Sequence, residues 1–387
     1  MEKKLIQGSE SWQVKTAAIE ASVTEQGGMM APVVFTLGGR KVSPYYINPW
    51  AGEPLPEGAP EVLRHLRGDF FCLPFGGDNR VGAEDHEPHG EASFSTWKLE
   101  SCTEESAETV LSLGLGYTKC AGSVRKILRF GKSDPFIRTE HVISGFSGSY
   151  PLGHHATLAG GDTEGKWRIR VKPFDFGLTD ASPEAPYSDG EYFSLKSSGS
   201  FESLAAVPTR WSAAPAADVS VFPARKGFVD ILALYRKVSA SDGWKRKIGW
   251  TVAFNREENY LWYSLKDASL LPATVFWMEN NGRHEAPWSG RNSCIGLEET
   301  CSFAATGRGP SIKANPVSAR GIPTAVALSP DRPTSVRTIQ GVLALDSSCA
   351  DIVALDLADD GRGTFRTATG TAVPLPASLD LRWLCGE

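Results

Sequence analysis

The sequence predicts an all-β protein, one large antiparallel β-sandwich with one or two short helices, and three observations carry that prediction. First, short runs rich in β-branched and aromatic residues recur along the 387 residues, at 18–24, 33–37, 109–115, 124–130, 136–144, 167–171, 248–254, 274–278 and 324–328. Second, turn signals bound many of them: Gly27-Gly28, Gly38-Gly39, Gly131-Lys132-Ser133-Asp134 and Ser241-Asp242-Gly243. Third, the 39 Gly and 25 Pro are spread over the chain and not gathered into a linker. Many short strands at this spacing build a sandwich or barrel. The reading is a single domain over 1–387, with 340–387 as additional C-terminal strands.

Two segments compete with the all-strand pattern. Residues 60–67 have Pro60 near the start and Gly68 just past the end, the usual asymmetry of a short helix. Residues 228–238 place Phe228, Ile231, Leu232 and Tyr235 at helical spacing, although a strand fits almost as well. The tail, 350–387, reads as two or three strands with a polar hairpin at 364–371.

Composition narrows the function. Forty Lys plus Arg against 45 Asp plus Glu give a net charge of −5, with no basic footprint for nucleic acid and no polybasic patch for a membrane surface. No run approaches the roughly 18 apolar residues of a spanning helix. Residues 1–14 are polar, with no apolar core behind the first lysines, so a cytoplasmic location is expected. Cys72, Cys102, Cys120, Cys294, Cys301, Cys349 and Cys385 are odd in number and form no CxxC pair, which argues against a disulfide framework or a thiolate zinc site. The 11 Trp are about twice the ordinary share and suit a sugar cleft as well as a core.

Three polar knots can carry chemistry. Phe71 to Arg80 runs into Asp85-His86-Glu87-Pro88-His89-Gly90-Glu91 and Trp97; Gly153-His154-His155 follows; the third spans Trp277, Glu279, Arg283, His284, Trp288, Arg291 and Gly296-Leu297-Glu298-Glu299. Opening a cyclic hemiacetal needs one group to take the anomeric hydroxyl proton and another to protonate the ring oxygen, and a His with a Glu suits that exchange. Pro88 between His86 and His89 breaks any helix that would align them on a metal, so no metal site is expected. Walker, dinucleotide-binding and nucleophile-elbow motifs are absent.

The order and spacing of these knots resemble the aldose 1-epimerase, or galactose mutarotase-like, superfamily. The matching positions are Arg80, His89-Gly90 with Trp97, Gly153-His154-His155, Gly296-Leu297-Glu298, and the opening Gly27-Gly28-Met29-Met30. The resemblance spans about residues 12 to 335 and implies a mutarotase-type supersandwich, an isomerase acting on a small carbohydrate, and no cofactor. It places the general acid on His155, with His154 as the alternative registration, and the general base on Glu298. The resemblance implies that His89 and Arg80 hold substrate hydroxyls and the ring-oxygen region; His154, Trp277 and Arg291 are further candidate substrate-binding residues. Successive strand residues face opposite ways, so only one of His154 and His155 is expected in the cleft; Glu299 is expected to face water.

The chain also departs from the family pattern. Glu299 replaces the Pro after the catalytic Glu, and Ala156-Thr157-Leu158 replaces Pro-Tyr-Phe. Ser93 stands where phosphate-sensitive relatives carry Arg, which weakens a sugar-phosphate reading. Two alternatives therefore stay open: a carbohydrate-binding protein without turnover, and another sugar or sugar-acid isomerase or lyase, with Arg283 and Arg291 clamping a carboxylate.

Overall fold

The computed structural model describes residues 1–181, 185–346 and 351–387. Cys349 and Ala350, which entered the cysteine count and the tail, lie outside the described residues. Two antiparallel sheets make up most of the molecule. The twelve-stranded sheet has at its centre, in order, Met30–Leu37, Asp69–Cys72, Leu152–Ala159, Ser293–Cys301, Ala273–Asn280 and Phe228–Tyr235. The nine-stranded sheet has Trp167–Lys172, Ile248–Asn255, Tyr260–Asp267, Thr334–Ala344, Phe136–Ser144, Ser123–Gly131 and Glu108–Gly116 across its middle. Every strand expected from the sequence coincides with an observed one.

Phe35, Phe71, Leu158, Leu232 and Leu297 of the first sheet pack on Leu111, Leu128, Ile137 and Val336 of the second to form the interlayer core. The central strands of the larger sheet are buried on both faces, because a second apolar cluster, including Phe70, Val275 and Trp277, covers the side away from the core. A strand covered on both sides loses its polar alternation, which is why 274–278 and 294–297 read as near-continuous apolar runs.

The two helix candidates resolve differently. Residues 228–238 are not helical: Phe228–Tyr235 is a strand paired on one side with Ala273–Asn280 and on the other with Phe176–Thr179. The apparent helical spacing arises because both faces of this strand are largely apolar. Residues 60–67 collapse to one 3-10 turn, Glu61–Arg64. The Leu63 carbonyl is taken by Asn48 Nδ2 at 3.2 Å and Trp50 Nε1 at 2.7 Å, so side chains from the preceding loop satisfy the group a longer helix would use. The α-helices among the described residues, Trp244–Lys247 and Arg308–Ile312, are single turns elsewhere. No helix is long and apolar enough to cross a membrane, among the described residues.

The tail forms a three-stranded sheet, Ile352–Leu357, Gly363–Thr367 and Ala372–Pro374, followed by a 3-10 turn at Leu381–Cys385. Phe365 packs edge-on against Trp250 and Tyr263, with Leu381 and Leu384 in the same cluster. The tail thus covers the nine-stranded sheet and takes no part in the apolar cluster on the outer face of the larger sheet.

Candidate functional site

Leu152–Ala159 and Ser293–Cys301 are antiparallel neighbours in a register that sets His155 directly opposite Glu298. Alternation then sorts the four adjacent polar residues. His155 and Glu298 point to the face away from the interlayer core, beneath the second apolar cluster, with His155 Nε2 and Glu298 Oε1 3.2 Å apart. His154 and Glu299 point into the space between the sheets. His154 Nδ1 lies 3.1 Å from Asp69 Oδ2, and Glu299 pairs with Lys266 of the other sheet. The expectation of a solvated Glu299 is therefore corrected: it is fully buried because its register faces the core.

His155 and Glu298 form part of a cavity of about 110 Å³ walled by Val62, Leu63, Leu66, Phe70, Trp277 and Trp288. Phe70, opposite His155 on the next strand, stacks on its ring at 4.5 Å and 16°. His155 Nδ1 is 3.0 Å from Thr157 Oγ1, which leaves Nε2 as the ring atom toward Glu298. His89 enters from a loop in the left-handed backbone region, φ 64°, and stands edge-on to His155 at 5.1 Å. Its Nδ1 is 3.3 Å from Cys72 Sγ.

Burial governs the electrostatics. It pushes the Glu298 carboxyl well above the usual carboxylate range, and it pushes His155 well below the usual imidazole range, aided by neighbouring His89. His89 falls to about 4, again chiefly by burial. Both members of the central pair are thus biased toward their neutral forms, the state in which one proton is available and one site is open to receive another. Their contact is close without being aligned as a hydrogen bond, and Glu298 Oε1 has no hydrogen-bond partner. The Trp277 indole N–H, in the cavity wall, is likewise unpartnered.

Gly296 makes the carboxylate position possible. It shares a face with Glu298 two residues on, and a Cβ added there would lie 2.2 Å from Glu298 Oε1. Gly296→Ala therefore pushes the flexible end of Glu298 aside while leaving the backbone in place. The expected result is a melting temperature near wild type with any chemistry of the Glu298 carboxyl slowed by about tenfold or more, since a displacement near 1 Å costs up to about 10²-fold. Thermal melts, and rate measurements for the reaction proposed below, on the same preparation check this.

Arg283 closes one end. Its guanidinium lies over Trp288 at 4.9 Å and Trp277 at 5.6 Å, and it pairs with Glu191 at 2.5 Å. Glu279, two residues beyond Trp277 on the same face, braces this turn: Oε1 accepts the Gly282 and Arg283 N–H groups at 2.8 and 3.2 Å. Burial raises its carboxyl to about 7, against the lowering influence of Arg283. A raised carboxyl means the native state holds the proton more tightly than the unfolded chain. Stability is then lost as pH rises from about 4.5 to about 7 and is level above, on the order of 3 kcal/mol in all. Glu279→Gln keeps the Oε1 acceptor and is expected to melt higher than wild type at pH 8 but not at pH 4.5. Equal differences at both pH values would remove this account.

Not every residue expected at the site reaches it. Arg80 is 72% exposed and pairs with Asp85 on its own hairpin. Arg291 makes a bidentate pair with Glu53 at 2.8 and 2.6 Å on the surface. His154 is interior. The Arg283–Arg291 carboxylate clamp is not assembled, because only Arg283 lines the cavity. His86 contacts Glu84 at 3.3 Å while His89 contacts Cys72, so the two do not share a partner. Phe70 and the 62–66 turn were not anticipated; an apolar pair such as Phe70-Phe71 carries no signal of which ring faces outward.

The stacked antiparallel sheets have a galactose mutarotase-like fold, as the solved structures they match show. The chain is similar to a galactose mutarotase-like protein from Clostridium acetobutylicum, at 13% identity and TM-score 0.57 over 89% of this chain and 98% of that one. It is similar to a candidate aldose 1-epimerase from Klebsiella pneumoniae at 12% identity and TM-score 0.57, over 89% and 83%. A galactose mutarotase related enzyme from Lactobacillus acidophilus aligns at 9% identity and TM-score 0.51, over 87% and 98%. No protein-family model and no curated protein matches the chain by sequence.

Proposed function

We propose that this protein is an aldose 1-epimerase-type isomerase that interconverts the anomers of a sugar by acid/base ring opening at His155 and Glu298, without a cofactor. The observation that carries the reading is the pair itself: two proton-transfer groups in contact at 3.2 Å, both biased to neutrality, in a cavity walled by aromatic and aliphatic side chains. The sugar's O1 and O5 are bonded to the same carbon. The groups serving them must therefore be neighbours, not opposite walls of a ring-wide pocket.

In the neutral tautomer favoured by burial, Glu298 carries the proton. It protonates O5 as the C1–O5 bond breaks, while His155 takes the O1 proton and the C1–O1 bond becomes a carbonyl. Rotation about C1–C2 presents the other aldehyde face. Ring closure returns the O5 proton to Glu298 and the His155 proton to O1. This assignment exchanges the roles implied by the family resemblance, in which Glu298 takes the O1 proton while His155 protonates O5. His89 and Arg283 hold hydroxyls, and Phe70, Trp277 and Trp288 face the C–H surfaces of the ring.

The test is two-dimensional exchange spectroscopy or polarimetry on a panel of free hexoses, pentoses and disaccharides, with wild type, His155→Ala and Glu298→Gln. Accelerated anomer exchange by wild type only is the expected outcome. Sugar-dependent thermal stabilisation with uncatalysed exchange throughout would instead assign a carbohydrate-binding protein.

A further inference from the structure

The thiol of Cys72 takes no part in the proton transfers, yet it sits beside them. Cys72 and Phe70 are two residues apart on the strand Asp69–Cys72, so they share a face, and both belong to the apolar cluster outside the interlayer core. Gly153, two residues before His155, is the residue opposite Cys72, which puts the thiol on the side of the sheet that carries His155 and Glu298. Its Sγ lies 3.3 Å from His89 Nδ1, and Cys72 is fully buried. Burial, with Glu298 and Asp69 nearby, holds the thiol well above its ordinary range, so it keeps its proton.

The surroundings hold the His89 ring from both sides. Its backbone N–H donates to the Gly76 carbonyl at 2.9 Å, and its carbonyl accepts the Leu73 N–H at 3.3 Å. Gly90 permits this approach, because a Cβ there would lie 2.0 Å from the Leu73 carbonyl oxygen. Phe70 and Phe75 stand edge-on to the ring at 6.0 and 5.3 Å. A neutral imidazole carries one proton on either ring nitrogen, and the hydrogen bond made by one nitrogen decides the state of the other. A thiol sulfur accepts poorly and an imidazole lone pair accepts well, so S–H donating to Nδ1 is the better of the two arrangements. The proton of His89 then sits on Nε2, the other nitrogen of a ring that lines the cavity, which has no hydrogen bond to any described residue.

We propose that Cys72 is a positioning residue: its thiol donates to His89 Nδ1, fixes the tautomer with the proton on Nε2, and so presents an N–H donor to the sugar O1 beside His155. The inference deepens the epimerase reading for the oxygen served, and rests on the Cys72–His89 contact for the tautomer. The rings of His89 and His155 are edge-on at 5.1 Å, so a donor on the first is within reach of the oxygen whose proton the second removes. O1 gains negative charge as that proton leaves, and a neutral N–H aimed at it counts more in the transition state than in the bound sugar. With its proton on Nδ1, the same ring would turn a lone pair toward O1 and oppose that charge.

The experiment compares wild type with Cys72→Ser, which keeps a hydroxyl donor, and Cys72→Val, which fills the space without one. Packing alone would rank the two variants the other way. Anomer exchange gives kcat and KM, and long-range proton–nitrogen correlation of protein labelled at histidine reads the tautomer, with the His89 signals assigned by their loss in His89→Gln. Wild type and Cys72→Ser are expected to hold the Nε2–H tautomer, with kcat values within about twofold of each other. Cys72→Val is expected to show a mixture of tautomers and a kcat about three- to tenfold lower, the size of one neutral hydrogen bond, with KM within about twofold of wild type. Cys72→Ala, which only removes atoms, takes the place of Cys72→Val if thermal melts show the latter unfolded. An Nδ1–H tautomer in wild type, a Cys72→Ser as slow as Cys72→Val, or a Cys72→Val with the wild-type tautomer or kcat overturns the proposal. If no sugar is turned over, the epimerase reading fails by itself, and the tautomers decide the role of Cys72. Nε2–H in wild type and Cys72→Ser with a mixture in Cys72→Val supports it, and any other pattern overturns it.

Discussion

Glu298→Gln is expected to lower the rate of anomer exchange by about 10²–10⁴-fold while raising thermal stability at neutral and alkaline pH. The loss follows from chemistry: the amide keeps the shape and a donor but can neither give up nor accept a proton, and a positioned acid or base contributes about that factor. The gain follows from burial. A carboxyl held well above its ordinary range makes the folded state less stable as pH rises past the unfolded value of about 4.5, because ionising it in the cavity is opposed. The amide has no such penalty, so the variant should melt above wild type at pH 8 and close to it near pH 4.5. Activity loss together with this pH-dependent stability gain marks a residue kept for chemistry at the expense of stability. A variant that retains more than a tenth of wild-type exchange, or that melts lower at pH 8, would argue that Glu298 is structural.

Lys266→Met is expected to destabilise the protein by about 3–5 kcal/mol, the usual cost of stranding one member of a buried ion pair. Lys266 and Glu299 join the two sheets through the core, and both are almost wholly buried. Lys266 Nζ also donates to Thr274 Oγ1 at 2.8 Å and to the Ala273 carbonyl. Glu299 accepts the Thr251 and Thr274 hydroxyls at 2.6 and 2.8 Å. Burial lowers the Lys266 pKa, and only Glu299 opposes that shift strongly. The paired replacement Lys266→Met with Glu299→Leu is expected to recover most of the loss, since well-packed apolar residues often replace a buried pair at little cost. Chemical denaturation of the three proteins measures this. A single variant within about 1 kcal/mol of wild type would mean that water reaches the pair.

The pair also bears on the site. Glu298 and Glu299 are adjacent in sequence, yet Glu299 meets a lysine and two threonine hydroxyls while Glu298 meets a histidine in an aromatic cavity. Sheet alternation alone separates these environments, so a one-residue register slip would exchange a structural carboxylate for a reactive one.

The sequence by itself determined the all-strand architecture, because period-two patterning and turn residues act locally and need no knowledge of partners. It also determined that one of two adjacent histidines would face the cleft, and it singled out Gly296-Leu297-Glu298. Lys126 was not singled out, and the structure buries it on the register of Val124, Leu128 and Phe130. Only the tertiary structure decided which face of 152–159 is the cleft, that Arg80 and Arg291 stay with Asp85 and Glu53, and that 228–235 is a central strand. Those outcomes depend on which strands become neighbours and what covers their outer faces, and such long-range pairings leave no period in the chain.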